Sequence, residues 1–441
     1  MNPGDSVELD VSAVAHGGIF VARHEGRVVF VSDAIPGERV RVRLTDTRKK
    51  SFWRADTVEI LDASPHRRPH VWSAADVHVA PEDRPGGADF GHIELGHQRA
   101  LKREVVIDAL RRFGGLDVPV DISPVTSASG EGGTIDSENA EGTRWRTRVS
   151  LHVDPDGRVG PYAARSHRVI EVDDLPLATS EIAAVAREIR SGAPGRIDLV
   201  QPSDGRVRVL ARPEERPRSK PGMRSRTPEV VIESVAGRDF RVDATGFWQV
   251  HRLAAHTLTG AVRDALRGIR SDLPGVDPDG WHLDLYGGVG LFAATLGELG
   301  GPSTRVTSVE SDPRATEHAG ENLAEWVGAR AETARVDRWL ETLASDATAR
   351  ERERLARGVV LLDPPRAGAG QRVVDAVASL APSAVVYVAC DPVALARDLA
   401  TFRARGYEPA RVDAFDLFPN SHHVEAVAAL TRVGDGEGPA R

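Results

Sequence analysis

One cysteine stands in 441 residues, Cys390, which excludes an intrachain disulfide and any zinc site or iron–sulfur cluster whose ligands would be this chain's own cysteines. Whatever chemistry that thiol performs, it performs without a second sulfur. No stretch reaches the roughly 18 or more apolar residues that span a bilayer, so no membrane is expected as a partner. Met1-Asn-Pro-Gly-Asp-Ser lacks a basic patch followed by an apolar run, so no signal peptide is read and a cytoplasmic location is expected. Excess positive charge is missing as well. A formal net charge of −8 argues against coating nucleic acid through many phosphate contacts, and any nucleic-acid contact must come from local patches. Internal repeats are absent, and a monomer is the default expectation.

What is present divides the chain into three expected units: a small β-barrel over 1–62, a central α+β region over 63–238, and a doubly wound α/β domain over 239–433. The first alternates apolar and polar residues in short runs, such as Ser6-Val-Glu-Leu-Asp-Val-Ser12 and Arg39-Val-Arg-Val-Arg-Leu44, broken by glycine and proline turns. Its segment Arg48-Lys-Lys-Ser-Phe-Trp-Arg54 interleaves cations with aromatics, which suits phosphates and stacked bases; a solvated barrel edge explains it equally well. Leu101, Val105, Val106 and Leu110 predict a helix over 95–116, stopped at Gly114-Gly115. Residues 127–143 are small, polar and acidic and are read as a loop. Strands are expected at Trp145–Val153 and Arg206–Ala211, and the arginine-rich and proline-rich stretch 206–226 reads as a loop facing RNA or solvent. The last part predicts strands at Trp281–Leu285, Val306–Glu310, Val359–Leu362, Ala384–Ala389 and His423–Leu430, and a frayed tail from Gly434.

Four signals in that last part carry chemistry. The first is a strand, a glycine turn and a helix over His282-Leu-Asp-Leu-Tyr-Gly-Gly-Val-Gly-Leu-Phe-Ala293, with Glu310 ending the next strand twenty residues after Gly290. Glycines let backbone approach a ligand, and a carboxylate at that distance can bind both hydroxyls of an adenosine ribose. Gly288 and its neighbours also fit a dinucleotide loop. Asp284 tips the reading towards S-adenosylmethionine, because a carboxylate at the loop mouth repels a pyrophosphate but favours an ammonium and a sulfonium. The second signal is Val359-Val-Leu-Leu-Asp-Pro-Pro-Arg-Ala-Gly368, where Asp363 and two prolines end an apolar strand. Arg366 stands where many amino-group methyltransferases carry an aromatic. The third is Ala384-Val-Val-Tyr-Val-Ala-Cys390-Asp-Pro392, a thiol at a strand end before a helix, a position that lowers thiol pKa. The fourth is Glu425, a carboxylate inside an apolar strand, suited to accepting a proton; a structural hydrogen bond would explain it equally well.

In order and spacing the four signals resemble the bacterial uracil-C5 RNA methyltransferase family. Gly246-Phe-Trp-Gln-Val-His251 resembles that family's cofactor-binding glutamine segment, and residues 1–62 resemble the RNA-binding TRAM barrel of its ribosomal-RNA branch. The resemblance implies a class I methyltransferase fold that uses S-adenosylmethionine, bound by Gln249, Tyr286, Glu310 and Asp363, with Asp337 near the adenine. It implies Cys390 as nucleophile and Glu425 as base, acting on structured RNA, ribosomal in preference to transfer RNA. Gly287, Ala389, Asp391 and His251 depart from the usual cysteine, serine, asparagine and asparagine; Asp391 is expected to raise the pKa of Cys390. The cysteines that hold an iron–sulfur cluster in some relatives are absent around Arg84-Pro-Gly-Gly-Ala-Asp-Phe-Gly-His-Ile93, so a cluster-free, metal-free member is expected. Methylation of an exocyclic amine, or a catalytically silent RNA-binding protein on the same fold, are the competing readings.

Overall fold

The computed structural model describes residues 1–125, 141–214, 228–269 and 276–433. The expected loop at 127–143 and the arginine-rich stretch 206–226 therefore fall partly, and the tail from Gly434 wholly, outside the described residues.

Strands β1 (Ser6–Ala15), β2 (Ile19–His24), β3 (Arg27–Ser32), β4 (Arg39–Asp46) and β5 (Phe52–Asp62) close into a barrel in the order β1-β2-β3-β5-β4. Period-two alternation sends Val7, Leu9, Val11, Phe20, Val29, Val31, Val40 and Val42 inward, and closure leaves no free edge. Trp53 is part of that interior, with Arg27 over its ring at 4.3 Å. Of the expected aromatic pair for stacking on bases, only Phe52 is left half-exposed, because the strand period turns Trp53 into the barrel core.

The chain continues through α1 (Leu95–Gly114) and β6 (Ile122–Pro124), then β7 (Arg148–Val153), β8 (Val159–Gly160), α2 (Ser180–Glu188), β9 (Gly195–Val200) and β10 (Arg208–Pro213). The last four strands form a sheet in the order β10-β9-β7-β8. A hairpin follows, β11 (Val230–Val235) and β12 (Arg238–Asp243), and then α3 (Ala254–Ile269).

The doubly wound part comprises β13 (Trp281–Leu285), α4 (Leu291–Gly300), β14 (Arg305–Glu310), α5 (Pro313–Asn322), β15 (Arg330–Thr333), α6 (Val336–Asp346) and α7 (Ala349–Arg357). It ends with β16 (Val359–Leu362), α8 (Gln371–Ser379), β17 (Ala384–Ala389), α9 (Pro392–Arg403), β18 (Tyr407–Asp416) and β19 (Glu425–Arg432). Its eight-stranded sheet runs β15-β14-β13-β16-β17-β19-β18-β6. Strands β13 to β17 are parallel, and β19 is antiparallel to both its neighbours. This is the Rossmann-like arrangement with an N-terminal barrel that the sequence predicts.

Two parts of the expected division are corrected. The stretch assigned to the start of the central unit joins the C-terminal sheet: β6 pairs in parallel with β18, and Val106, Leu110, Leu116, Val120 and Ile122 share one core with Leu395, Leu399 and Phe402 of α9. The boundary at 238/239 cuts the β11–β12 hairpin, both of whose strands share one core with Val289, Leu291 and Phe292. An apolar face needs a partner surface wherever the chain finds it, and here both lie beside the nucleotide-type sheet.

Lys102 on α1 seals that junction. Its ammonium lies 2.5 Å from the Asp416 carboxylate, both side chains are fully buried, and Lys102 also donates to the Phe418 carbonyl at 3.1 Å. Lys102→Ala leaves the buried carboxylate only the more distant Arg99, 3.8 Å away, and is expected to cost up to about 3–5 kcal/mol. Urea melts check this; a loss below about 1 kcal/mol would show that Asp416 finds another partner.

The stretch around His70 to His92 is tied down by side-chain bonds to backbone carbonyls and by an ion pair. His70 and His92 are buried, held to the carbonyls of Ala88 and Ala34 at 3.0 and 3.1 Å, and burial pushes both imidazoles down. Arg84 binds Asp33 at 2.7 Å.

Candidate active site

A cavity of about 1260 Å³ opens at the C-terminal ends of the parallel strands, the place where open α/β sheets bind ligands. Gln249, Tyr286, Gly288, Glu310, Asp337, Asp363, Cys390 and Glu425 all line it. Of the nine residues expected at the site, only Asp284 is not among its walls.

The glycine loop follows β13. Tyr286, Gly288 and Gly290 adopt φ of 64°, 54° and 88°, so the chain turns sharply before α4. At Gly288 an added Cβ would meet no atom within 4 Å, so the backbone there faces open cavity, as close approach to a ligand requires. Asp284 lies below the loop, fully buried, accepting the Ala293 N–H at 2.9 Å. Burial pushes its carboxyl up to about 7. The expected carboxylate at the loop mouth is thus corrected: alternation along β13 turns Asp284 under the loop, where it braces the start of α4. Ser308 fills the space beside Gly287 that a larger side chain would need.

Glu310 is presented as the first signal requires. One oxygen accepts the Gly288 N–H at 3.2 Å and the other accepts the N–H of Asp312 at 2.8 Å, which fixes the carboxylate between the loop and α5. Asp337, at the start of α6, is held below the usual carboxylate range by Arg335, whose guanidinium binds it at 3.1 Å. Gln249 is carried by a segment gripped from the central sheet: Arg148 donates to the carbonyls of Ala244 and Gly246 at 3.2 and 2.9 Å, and the Thr147 N–H to Val250 at 2.8 Å. His251 stacks on Trp145 with ring centroids 5.4 Å apart, and burial pushes it down to about 3, so it is a neutral packing group.

The third and fourth signals meet. Antiparallel pairing of β17 with β19 ends at Ala389 opposite Ala426, which brings Cys390, the next residue after β17, near Glu425 at the start of β19, close enough for the carboxyl to act on the thiol. Burial pushes the Cys390 thiol up to about 11, helped by Glu425 and Asp363 and opposed by Arg366. This reverses the lowered thiol expected from the helix N-terminus, because desolvation and two carboxyls outweigh the dipole. Asp391, expected to raise it, is not among the principal causes. Its carboxylate turns away to cap α9, accepting the N–H of Val393 and Ala394 at 3.0 and 2.8 Å. Burial and Asp363 hold Glu425 well above the carboxylate range, and Asp363 itself is pushed up to about 7, first by burial and then by Asp284. Behind the paired prolines, Asp398 accepts the N–H of Ala369 at 2.7 Å and the Tyr387 hydroxyl at 2.6 Å, fixing the loop that carries Arg366.

Comparison with known proteins accords with this geometry. Residues 338–433 match the family model described as tRNA (Uracil-5-)-methyltransferase, and residues 2–52 match the TRAM domain. An uncharacterized RNA methyltransferase of Streptomyces avermitilis is 37% identical over 455 residues, spanning 98% of this chain and 100% of the relative. The chain belongs to the RNA uracil-C5 methyltransferase family. A Halomonas elongata relative named 23S rRNA (uracil(1939)-C(5))-methyltransferase RlmD is 30% identical, over 96% of this chain and 89% of that one. Among solved structures, the Pyrococcus abyssi tRNA (uracil-54, C5)-methyltransferase in complex with S-adenosyl-L-homocysteine has the same fold, with a TM-score of 0.65 at 20% identity, covering 96% and 99% of the two chains.

Two features of this family member's cavity escaped the sequence reading. Phe247 lines it with 74% of its surface exposed, a large apolar ring in water that its glutamine neighbour had overshadowed. Arg366, read only as a missing aromatic, is the cation that opposes the rise of the Cys390 pKa. A charge at a strand end among carboxyls was the available signal.

Proposed function

We propose that this chain makes 5-methyluridine in 23S ribosomal RNA, with Cys390 as the nucleophile and Glu425 as the base. Family membership carries the coarser statement, S-adenosylmethionine-dependent methylation of uracil carbon 5 in RNA. The observation that supports the finer one is the meeting, in one cavity at the end of the β17–β19 pairing, of the chain's sole cysteine and a buried carboxyl.

The residues present fit the methyl donor. Open backbone at Gly288 and a fixed carboxylate at Glu310 suit the methionine and ribose parts, with Gln249, Tyr286, Asp337 and Asp363 as the remaining binding residues. When bound, S-adenosylmethionine supplies an electrophilic methyl group on a sulfonium.

Carbon 5 of uracil is a weak nucleophile, so the ring needs activation. Cys390 reacts as the thiolate, its proton lost to solvent: the sulfur adds to carbon 6, and the displaced π electrons pass to the C4 carbonyl oxygen. With the donor bound, their return would form the bond from carbon 5 to the methyl group as the methyl–sulfonium bond breaks, its electron pair staying on the donor sulfur. Glu425 then takes the carbon 5 proton, the C5–C6 double bond reforms, and the carbon–sulfur bond breaks to restore the thiolate. A stacked base cannot offer carbon 6 to a thiol, so the uridine is flipped out or taken from a loop, at about a few kcal/mol. Phe247 is placed to stack on it, and Arg366 to favour the thiolate.

The N-terminal barrel and the named activity of the Halomonas elongata relative support ribosomal RNA; the name of the Pyrococcus abyssi enzyme points to transfer RNA. Unmodified 23S fragments and transfer RNA transcripts, incubated with enzyme and S-adenosylmethionine and digested to nucleosides, decide between them. Mass spectrometry is expected to find 5-methyluridine in a 23S fragment; its appearance in transfer RNA alone would overturn this assignment.

A further inference from the structure

His16 lies in the turn between β1 and β2, and its Nε2 is 3.0 Å from Oδ2 of Asp391, the residue that follows Cys390. A carboxylate only accepts, so Nε2 carries the proton. The other Asp391 oxygen caps α9, so one carboxylate joins the barrel to the backbone that carries the thiol. An asparagine, the residue the family resemblance leads one to expect here, would use its oxygen on the cap and present an N–H to this imidazole nitrogen. A neutral imidazole could accept that N–H, so what Asp391 adds is a charge that favours the protonated form of His16.

The turn is also closely seated. Gly18 has φ of 72°, and an added Cβ would stand 2.8 and 2.9 Å from the His422 side chain, which is held to Asp89 at 2.7 Å. Between turn and thiol lies a cavity of about 110 Å³, lined by His16, Gly18, Arg366, Cys390, Asp391 and His423. Arg366, Cys390 and His423 line the large cavity too, so the barrel turn forms the far wall of the methylation centre.

We propose that His16 is a positioning residue: through Asp391 it fixes the end of β17 and closes the barrel-facing side of Cys390, so that the barrel completes the catalytic site. This rests on the reading of Cys390 as nucleophile. A hydrogen bond that sets a reacting atom within a fraction of an ångström influences turnover more than substrate affinity.

Three proteins test it: wild type, His16→Ala, and His16→Gln, which keeps a side-chain N–H donor. For each, kcat and KM for methyl transfer to RNA are measured, and separately the rate at which iodoacetamide alkylates Cys390 without RNA, a clean readout because the chain has one cysteine. His16→Ala is expected to lower kcat about tenfold or more with KM for RNA within about twofold, and to speed alkylation severalfold as the wall opens. His16→Gln is expected to recover most of both. Raised KM with unchanged kcat and unchanged alkylation would overturn the proposal and make His16 an RNA contact. Alkylation needs no substrate, so if the chain failed to methylate uridine, a rate unaffected by His16→Ala would still refute the tie and a faster one reversed by glutamine would still support it.

Discussion

Cys390→Ala is expected to abolish methylation, by about 10⁴-fold or more, while S-adenosylmethionine still binds with nearly unchanged affinity. Covalent activation cannot be replaced by proximity, because without an added sulfur carbon 5 carries no usable electron pair. Binding survives because Gln249, Glu310 and the glycine loop are carried by other strands and loops. Filter assays with labelled methyl donor measure the first and calorimetry the second. The thiol's pH behaviour follows from the same site. With its pKa pushed up to about 11, Cys390 is almost wholly protonated at pH 7. Its alkylation in the free enzyme should therefore climb about tenfold per pH unit between pH 7 and 10. A plateau near neutrality would contradict the burial and the two carboxyls that raise it.

Glu425→Gln is expected to separate the two halves of the reaction. Addition of the thiol and methyl transfer need no base at carbon 5, so the altered enzyme should form the methylated adduct and then stall. Turnover should fall about 10²–10⁴-fold, the usual contribution of a positioned base, while a covalent protein–RNA species accumulates with ordinary, unfluorinated RNA. Denaturing gels and intact-mass spectrometry detect it. Glutamine preserves volume and hydrogen bonding in a buried site and removes only the proton-accepting oxygen. Full activity, or loss without any adduct, would show that another group removes the proton.

Most of the sheet was legible because buried parallel strands are short apolar runs bounded by turns. Strands β13, β16 and β17 match the predicted spans residue for residue. Strand β19 begins at Glu425 where the sequence predicts His423, since His422 and His423 are taken by the loop that meets Asp89. Strand β18 was missed because Pro409 and a bulge beside it interrupt the alternation. The lining residues were legible from motif spacing, but their electrostatics were not. Cys390 and Glu425 are brought together where the β17–β19 pairing ends, Asp284 lies under its loop, and the partner of Asp391 is 375 positions away in the barrel. Such pairings depend on tertiary contact and leave no local trace in sequence.

The most direct test of the central claim is intact-mass spectrometry of wild type and Cys390→Ala, each incubated with S-adenosylmethionine and a 23S transcript whose uridines carry fluorine at carbon 5. Fluorine cannot leave as a proton, so the wild type is predicted to gain the mass of a methylated RNA adduct at Cys390 and the variant to gain none. Methyl transfer to an exocyclic amine that persists in Cys390→Ala, with no adduct in either protein, would contradict the account.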